Sequence, residues 1–328
     1  MSHGGRAGTA ARWEAAAVHQ PHHPMREPDG FSRLTTLGPA SMGLSCEDGF
    51  RLEATCHEAA GTPKAVVVLA GALGTPRRFY ARFGEFLSAQ GVSCLTFDYR
   101  GVGESLPTDE QRELIDMAAW GQQDLEAAIR AAVALHPGVP IYVMGHSCGG
   151  QLLGLAPSAK QLSGAVFVGA SLPHASRFPR PDRYLLRALW RFAIPLLARG
   201  DGAELMAAPG MANALAPKAV YRQWAAWCRS KAYLFDARFG LNTAHYALLD
   251  WPLLSIAVSD DEQAPQTAIL ALLERYPKAQ IDRRVVDVLH MGYGSVGHMG
   301  FFRSKTRDAL WFPVLNWLLK QRTEPRRP

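Results

Sequence analysis

Tyr142-Val143-Met144-Gly145-His146-Ser147-Cys148-Gly149-Gly150-Gln151-Leu152-Leu153 carries an apolar run into G-x-S-x-G and continues as a helix-compatible segment. The stretch reads as a strand, a sharp turn and a helix. In such a nucleophile elbow the serine occupies the tip of a strained turn, and glycines two before and two after it leave room where a Cβ would collide. Gly145 and Gly149 hold those positions. The N–H groups that open the following helix face whatever the hydroxyl attacks, so the segment supplies a nucleophile, Ser147, and an anion donor, the N–H of Cys148. His146 reads as a packing residue of the elbow, and the Cys148 side chain as one that points away from substrate.

Working outward, short apolar runs alternate with helical periodicity. Ala65 to Ala70 and Ser93 to Phe97 read as buried parallel strands, with a helix from Pro76 to Gly91 between them. The amphipathic stretch Trp120 to Leu135 leads to the strand before the elbow, and Gly164 to Gly169 is a further strand. Upstream, Gly49 to Cys56 alternates as an edge strand does. From Ser171 to Asp250 the rhythm stops, leaving helical pieces at Tyr184 to Ile194 and Val220 to Trp227 and no convincing strand. It resumes with Leu253 to Val258, Pro265 to Tyr276, Ile281 to Val288 and a closing helix over Arg307 to Leu319. The fold class is therefore α/β: a mostly parallel central sheet flanked by helices, with a helical cap inserted after the sixth strand, over the carboxyl ends of the strands. The boundaries read as a disordered tail over 1–40, core over 41–170, cap over 171–250, core over 251–322 and a short tail over 323–328.

Composition bounds the function. The chain of 328 residues has a formal net charge of +6. Residues 171–250 hold eleven Lys or Arg against five Asp or Glu, so the basic excess sits in the insertion. A local excess suits an anionic substrate or a lipid surface, not a nucleic-acid face. No signal peptide or membrane-length apolar run is evident, and five cysteines without C-x-x-C suit a reducing compartment, so the expected location is the cytoplasm. His19, His22 and His23 read as part of a solvated tail. No cofactor and no metal is expected for the chemistry.

A serine hydroxyl needs a base, and the base an orienting acid. Ser259-Asp260-Asp261-Glu262-Gln263-Ala264-Pro265 puts carboxylates at the carboxyl end of a strand, and Val296-Gly297-His298-Met299-Gly300 sets a histidine between glycines before the last helix. The order Ser, Asp, His follows. His290 is the rival base.

Five stretches carry a family resemblance: Pro76 to Tyr80, Asp98 to Ser105, Gly145 to Gln151, Asp260 to Pro265 and Gly297 to Arg303. Across Gly49 to Leu319 the chain resembles the α/β-hydrolase superfamily, nearest to bacterial hydrolases of the monoacylglycerol-lipase or S33-aminopeptidase-like sort. The resemblance implies a catalytic triad of Ser147, Asp261 and His298, with Asp261 preferred to Asp260 because its spacing to Ala264-Pro265 fits the family pattern. It implies a backbone oxyanion hole from the N–H groups of Cys148 and Ala72, or Leu73 if the loop register is one residue later. Many members have His-Gly where this chain has Ala70-Gly71, a change that need not remove a main-chain donor. Asp98 to Gly103 reads as a structural turn. The expected activity is serine hydrolysis of a small-molecule acyl ester through an acyl-enzyme. An acyltransferase and a non-catalytic binding homologue are the alternatives. Arg183, Arg187 and Arg191 recur every four residues along the insertion, ahead of Pro195, which ends or kinks their helix. They read either as a solvated face or as a lid stripe in peripheral contact with lipid.

Overall fold

The computed structural model describes residues 11–12, 38–208, 214–292 and 294–323. Its main sheet is built from β1 (Ala40–Ser45), β2 (Arg51–His57), β3 (Ala65–Ala70), β4 (Val92–Phe97), β5 (Ile141–His146), β6 (Gly164–Val168), β7 (Pro252–Val258) and β8 (Gln280–Val286). The spatial order is β1-β2-β4-β3-β5-β6-β7-β8, and the two-residue strand Ala11–Arg12 pairs in parallel with Arg284 and Val285 on the outer edge. Only β2 runs against its neighbours; β3 to β8 are parallel. The central strands β3 to β6 are buried along their whole length, which is why they read as unbroken apolar runs instead of alternating ones.

Each face of the sheet is covered. Phe83 and Phe86 from the helix Ala81–Ala89, Trp311 from the helical turn Arg307–Trp311 and Leu318 from the helix Phe312–Thr323 pack on one face. Trp120, Leu125 and Ile129 pack on the other, from a helix over 117–135 whose Asp116 cap accepts the Ala119 N–H at 2.7 Å.

Three expectations are corrected. Gly49 to Cys56 is not the edge: β1 pairs outside it, with so little apolar alternation in Ala40 to Ser45 that periodicity passes it over. The expected tail over 1–40 includes the paired Ala11–Arg12 and the first residue of β1, and its remainder lies outside the described residues. The insertion does contain strands. Leu205–Ala207 and Leu215–Pro217 pair antiparallel, each too short to show a period. Helix 182–197 also runs past Pro195, through a wide π turn over Leu189–Ala193 that spaces the backbone for a residue without an N–H. Trp190, Ile194, Tyr221 and Trp227 root the insertion in the same apolar cluster as the sheet.

Candidate active site

Every residue singled out for chemistry lies in a loop that follows the carboxyl end of a parallel strand: Ala72 and Leu73 after β3, Ser147 after β5, Asp260 and Asp261 after β7, and His298 farther along the loop after β8. β3, β5, β6, β7 and β8 are consecutive neighbours in space, so their loops share one rim.

Ser147 sits at φ 53° and ψ −116°, a left-handed conformation that a side chain rarely adopts and that marks the turn as strained. The strain persists because the surroundings leave no alternative. A Cβ on Gly145 would lie 2.5 Å from Gly150 Cα, and one on Gly149 would lie 2.1 Å from the Ala70 carbonyl oxygen. The Ser147 N–H donates to the Val168 carbonyl at 2.9 Å, and its own carbonyl accepts from Gly150 at 3.1 Å, which fastens the turn between β6 and the helix. Ser147 is partly exposed while its neighbours on both sides are buried.

The structure brings Asp261 and His298 together: Asp261 Oδ2 stands 2.7 Å from His298 Nδ1. The other Asp261 oxygen accepts the N–H groups of Gln263 at 2.9 Å and Ala264 at 3.2 Å, so the carboxylate is held on both sides. Asp260 points elsewhere, accepting Ser295 Oγ at 2.8 Å, Val296 N–H at 3.0 Å and Gly297 N–H at 2.8 Å. Burial opposes ionisation of Asp260, but the donors from Gly297, Ser295 and Val296 outweigh it and hold the carboxyl below its ordinary range. His290, the rival base, is exposed and pairs with Asp287 at 2.8 Å.

His146 is fully buried with both ring nitrogens engaged. The Ala72 N–H donates to Tyr80 Oη at 2.8 Å, Tyr80 Oη lies 2.9 Å from His146 Nδ1, and His146 Nε2 lies 2.9 Å from the carbonyl oxygen of His298. Since a carbonyl can only accept, Nε2 carries the proton and Nδ1 accepts from the tyrosine, which assigns the tautomer from the network. Burial, and then the neighbouring His298, push the His146 pKa down to about 3, so the ring stays neutral. Its partner Tyr80 stacks edge-on to Phe302, which also packs on His146.

That chain of contacts bears on the donor expected at Ala72. Its N–H is already donated, whereas Leu73, one residue on, has an N–H without an internal partner among the described residues. The Cys148 thiol donates to the Gly71 carbonyl at 3.5 Å, turning away from the open side of the turn and joining the elbow to this loop. Sequence reading also missed Gly169. At φ +58° it follows β6, and a Cβ there would lie 3.0 Å from Asp261 Oδ2 and 3.2 Å from His298 Nδ1. The signal available was a glycine ending the strand beside the elbow.

Asp98 is structural, as its motif implied. It is buried, takes the Arg77 N–H at 2.6 Å and pairs with the Arg77 guanidinium. Arg183 does not share a free stripe with Arg187 and Arg191: it donates to the carbonyls of Phe178 at 3.2 Å and Ser176 at 3.4 Å. Arg187 and Arg191 instead line a cleft of about 420 Å³ with Arg229, Arg238 and His174.

Comparison with known proteins agrees with this fold. A solved monoglyceride lipase from Saccharomyces cerevisiae, a soluble variant in complex with a substrate analog, superposes with a TM-score of 0.64 at 17% identity, covering 89% of this chain and 99% of that one. A thermostable carboxyl esterase from Bacillus coagulans, in complex with glycerol, gives 0.57 at 16% identity over 88% and 100%. An acylaminoacyl peptidase from Pyrococcus horikoshii gives 0.56 at 12% identity, over 90% of this chain but 43% of that one. At these identities the likeness is one of fold. The sequence pattern described as serine aminopeptidase, S33, matches residues 61–280, a span that includes the elbow and both aspartates and ends before His298. With two thirds of its length matched and the sheet order of its fold in place, the chain belongs to the S33 serine aminopeptidase family of α/β-hydrolases.

Proposed function

We propose that this hydrolase cleaves small-molecule carboxylic esters through an acyl-enzyme on Ser147, with His298 as base and Asp261 as the orienting acid. The observation that carries the reading is the 2.7 Å contact between His298 Nδ1 and Asp261, with the His298 ring 5.1 Å from that of His146, the residue just before a serine held at positive φ. Asp261 fixes the proton on Nδ1 and leaves Nε2 to take the Ser147 proton as Oγ attacks the carbonyl carbon. The carbonyl oxygen becomes an oxyanion, which the Cys148 N–H receives at the start of its helix. The second donor in this account is Leu73, because the Ala72 N–H is spent on Tyr80. His298 then returns the proton to the leaving alcohol, and water repeats the sequence to release the acid.

The insertion supports a lid that meets an anionic lipid surface. Its helix exposes Leu185, Phe192 and Leu196 to solvent, and the arginine-lined cleft opens on the same helix. Among the described residues no helix is long and apolar enough to cross a membrane.

The reading is tested on the intact chain with a panel of acyl esters and aminoacyl amides, each with and without an alcohol acceptor. Free acid from esters, with a transient acyl adduct by intact mass, is the expected result. Cleavage of the amides alone overturns the ester reading, and product formed only with the acceptor converts it to acyl transfer.

A further inference from the structure

At the opposite end of the sheet three unlike donors converge. β2 runs antiparallel to β4 with His57 opposite Cys94, so its last residues lie beside the amino ends of the parallel strands, away from the rim that carries Ser147. There Cys56 Sγ, a Glu58 carboxylate oxygen and a His136 ring nitrogen all lie within 4.8 Å of one another. Cys56 belongs to the face of β2 that packs under helix 126–135, and His136 is the residue that ends that helix, its N–H bonded to the Ala132 carbonyl at 3.1 Å.

The carboxylate is aimed by its surroundings. Ser93 Oγ donates to Glu58 Oε2 at 2.8 Å while accepting the Ala59 N–H at 3.1 Å, which leaves Oε1 turned toward the other two groups. The Cys56 thiol donates to Oε1 at 3.0 Å. His136 Nε2 lies 3.4 Å from the same oxygen but out of line for a hydrogen bond, in a side chain only 10% exposed. That nitrogen is buried without a hydrogen-bond partner among the described residues. Buried polar atoms in folded proteins are normally satisfied, so an orphaned imidazole nitrogen beside a thiol and a carboxylate requires an explanation.

We propose that Cys56, Glu58 and His136 bind a divalent cation of the zinc class. Thiolate, imidazole and carboxylate together are the donor set that such a borderline-soft ion selects. Donors about 2.0–2.3 Å from a tetrahedral ion stand roughly 3.3–3.8 Å apart; the 3.0 and 3.4 Å separations from Glu58 Oε1 are near that spacing, and Cys56 Sγ and His136 Nε2 lie within 4.8 Å of each other. On binding, the Cys56 S–H bond breaks, its proton goes to solvent and the sulfur lone pair forms the metal bond. Thiolate and carboxylate then cancel the charge of the ion, and the neutral imidazole adds the third bond through its unpaired nitrogen. The carbonyl end of helix 126–135 favours a cation at the same place. A fourth position remains for water. The bound ion would clamp the end of β2 to the end of that helix, far from the reacting serine, and would add stability without entering the reaction.

Cobalt(II) titrated into the reduced full-length protein tests the proposal, because a cobalt–thiolate bond gives a near-ultraviolet charge-transfer band that nitrogen and oxygen ligands do not. The expected result is a saturable band, displaced by zinc, with a raised melting temperature in either metal. Cys56→Ser should abolish the band, and His136→Ala should weaken affinity at least about tenfold, the least that loss of a metal ligand should cost. Cys94→Ser, and a variant with His19, His22 and His23 replaced by alanine, should keep both band and affinity. Should Cys56→Ser fold poorly, Glu58→Gln carries the same test through zinc affinity. No band at saturating cobalt, or a band indifferent to Cys56 and His136, would reduce the three groups to a hydrogen-bonded ion pair.

Discussion

Asp260 and Asp261 are adjacent in the chain and hold different parts of one loop: Asp261 meets the His298 ring at 2.7 Å, and Asp260 gathers Ser295, Val296 and Gly297 just ahead of it. The two substitutions should therefore fail differently. Asp261→Asn presents the wrong hydrogen-bonding partner to Nδ1 and should lower kcat about 10⁴-fold with little change in melting temperature. Asp260→Asn should lower the melting temperature and reduce kcat less. Because the Asp260 carboxyl is held below its ordinary 3.8, its share of stability is complete above that pH and disappears as pH falls through the lower folded value. Steady-state rates and thermal melts of both variants decide the matter, and a larger kcat loss at Asp260 would exchange the assigned roles.

Gly169 has no chemistry of its own, yet it sets the distance between β6 and the Asp261–His298 pair. Gly169→Ala puts a methyl 3.0 Å from the Asp261 carboxylate at a backbone φ of +58°. Misplacing a reacting group by about 1 Å can cost roughly 10²-fold. A loss of that order in kcat, in a protein that still folds, is expected on a chromogenic ester. Wild-type turnover would mean that the pair does not depend on this contact.

The neutral, buried His146 makes stability depend on pH in a defined direction. Its folded pKa lies near 3 and the unfolded value near 6.5, so the unfolded chain binds the extra proton between them. Stability from this residue is full above about pH 6.5 and lost as pH falls toward 3. Since other groups titrate in the same window, the comparison is with His146→Gln. Denaturant midpoints measured from pH 7 to 4 should fall more steeply for the wild type than for the variant; parallel curves would remove the burial of His146 from the account.

Arg187 and Arg191 line the cleft with Arg229 and Arg238, and among the described residues only Arg238 of these four has a carboxylate partner, Asp236 at 2.8 Å. Activity on ester dispersed in anionic vesicles should fall as salt shortens the screening length from about 30 Å at 0.01 M to about 10 Å at 0.1 M. A short-chain neutral ester in solution should not respond. Arg187→Gln with Arg191→Gln should flatten the vesicle response and leave the soluble substrate alone. An unchanged salt response would make the cleft a solvated basic surface.

The parallel strands were legible because burial on both sides turns a strand into an apolar run, as Val66 to Leu69 and Tyr142 to Met144 do. The elbow was legible because its glycines are sterically obligatory. Choosing between Asp260 and Asp261 required a family pattern, because both lie at one strand end and only side-chain direction separates them. The tie from Ala72 to Tyr80 could not be read at all, as it depends on a hydroxyl reaching back across a turn. Helical spacing likewise grouped Arg183 with Arg187 and Arg191, without seeing that loop carbonyls at Ser176 and Phe178 would claim it.

The central claim is that Ser147 is the nucleophile. Treating the full chain with a fluorophosphonate, then locating the adduct by peptide mass and measuring ester turnover of Ser147→Ala, tests it most directly. A single adduct on the peptide containing Ser147 is expected, with none in the alanine variant and a fall in turnover of up to about 10⁶-fold. Labelling that survives in Ser147→Ala, or a variant that keeps most of its rate, would contradict it.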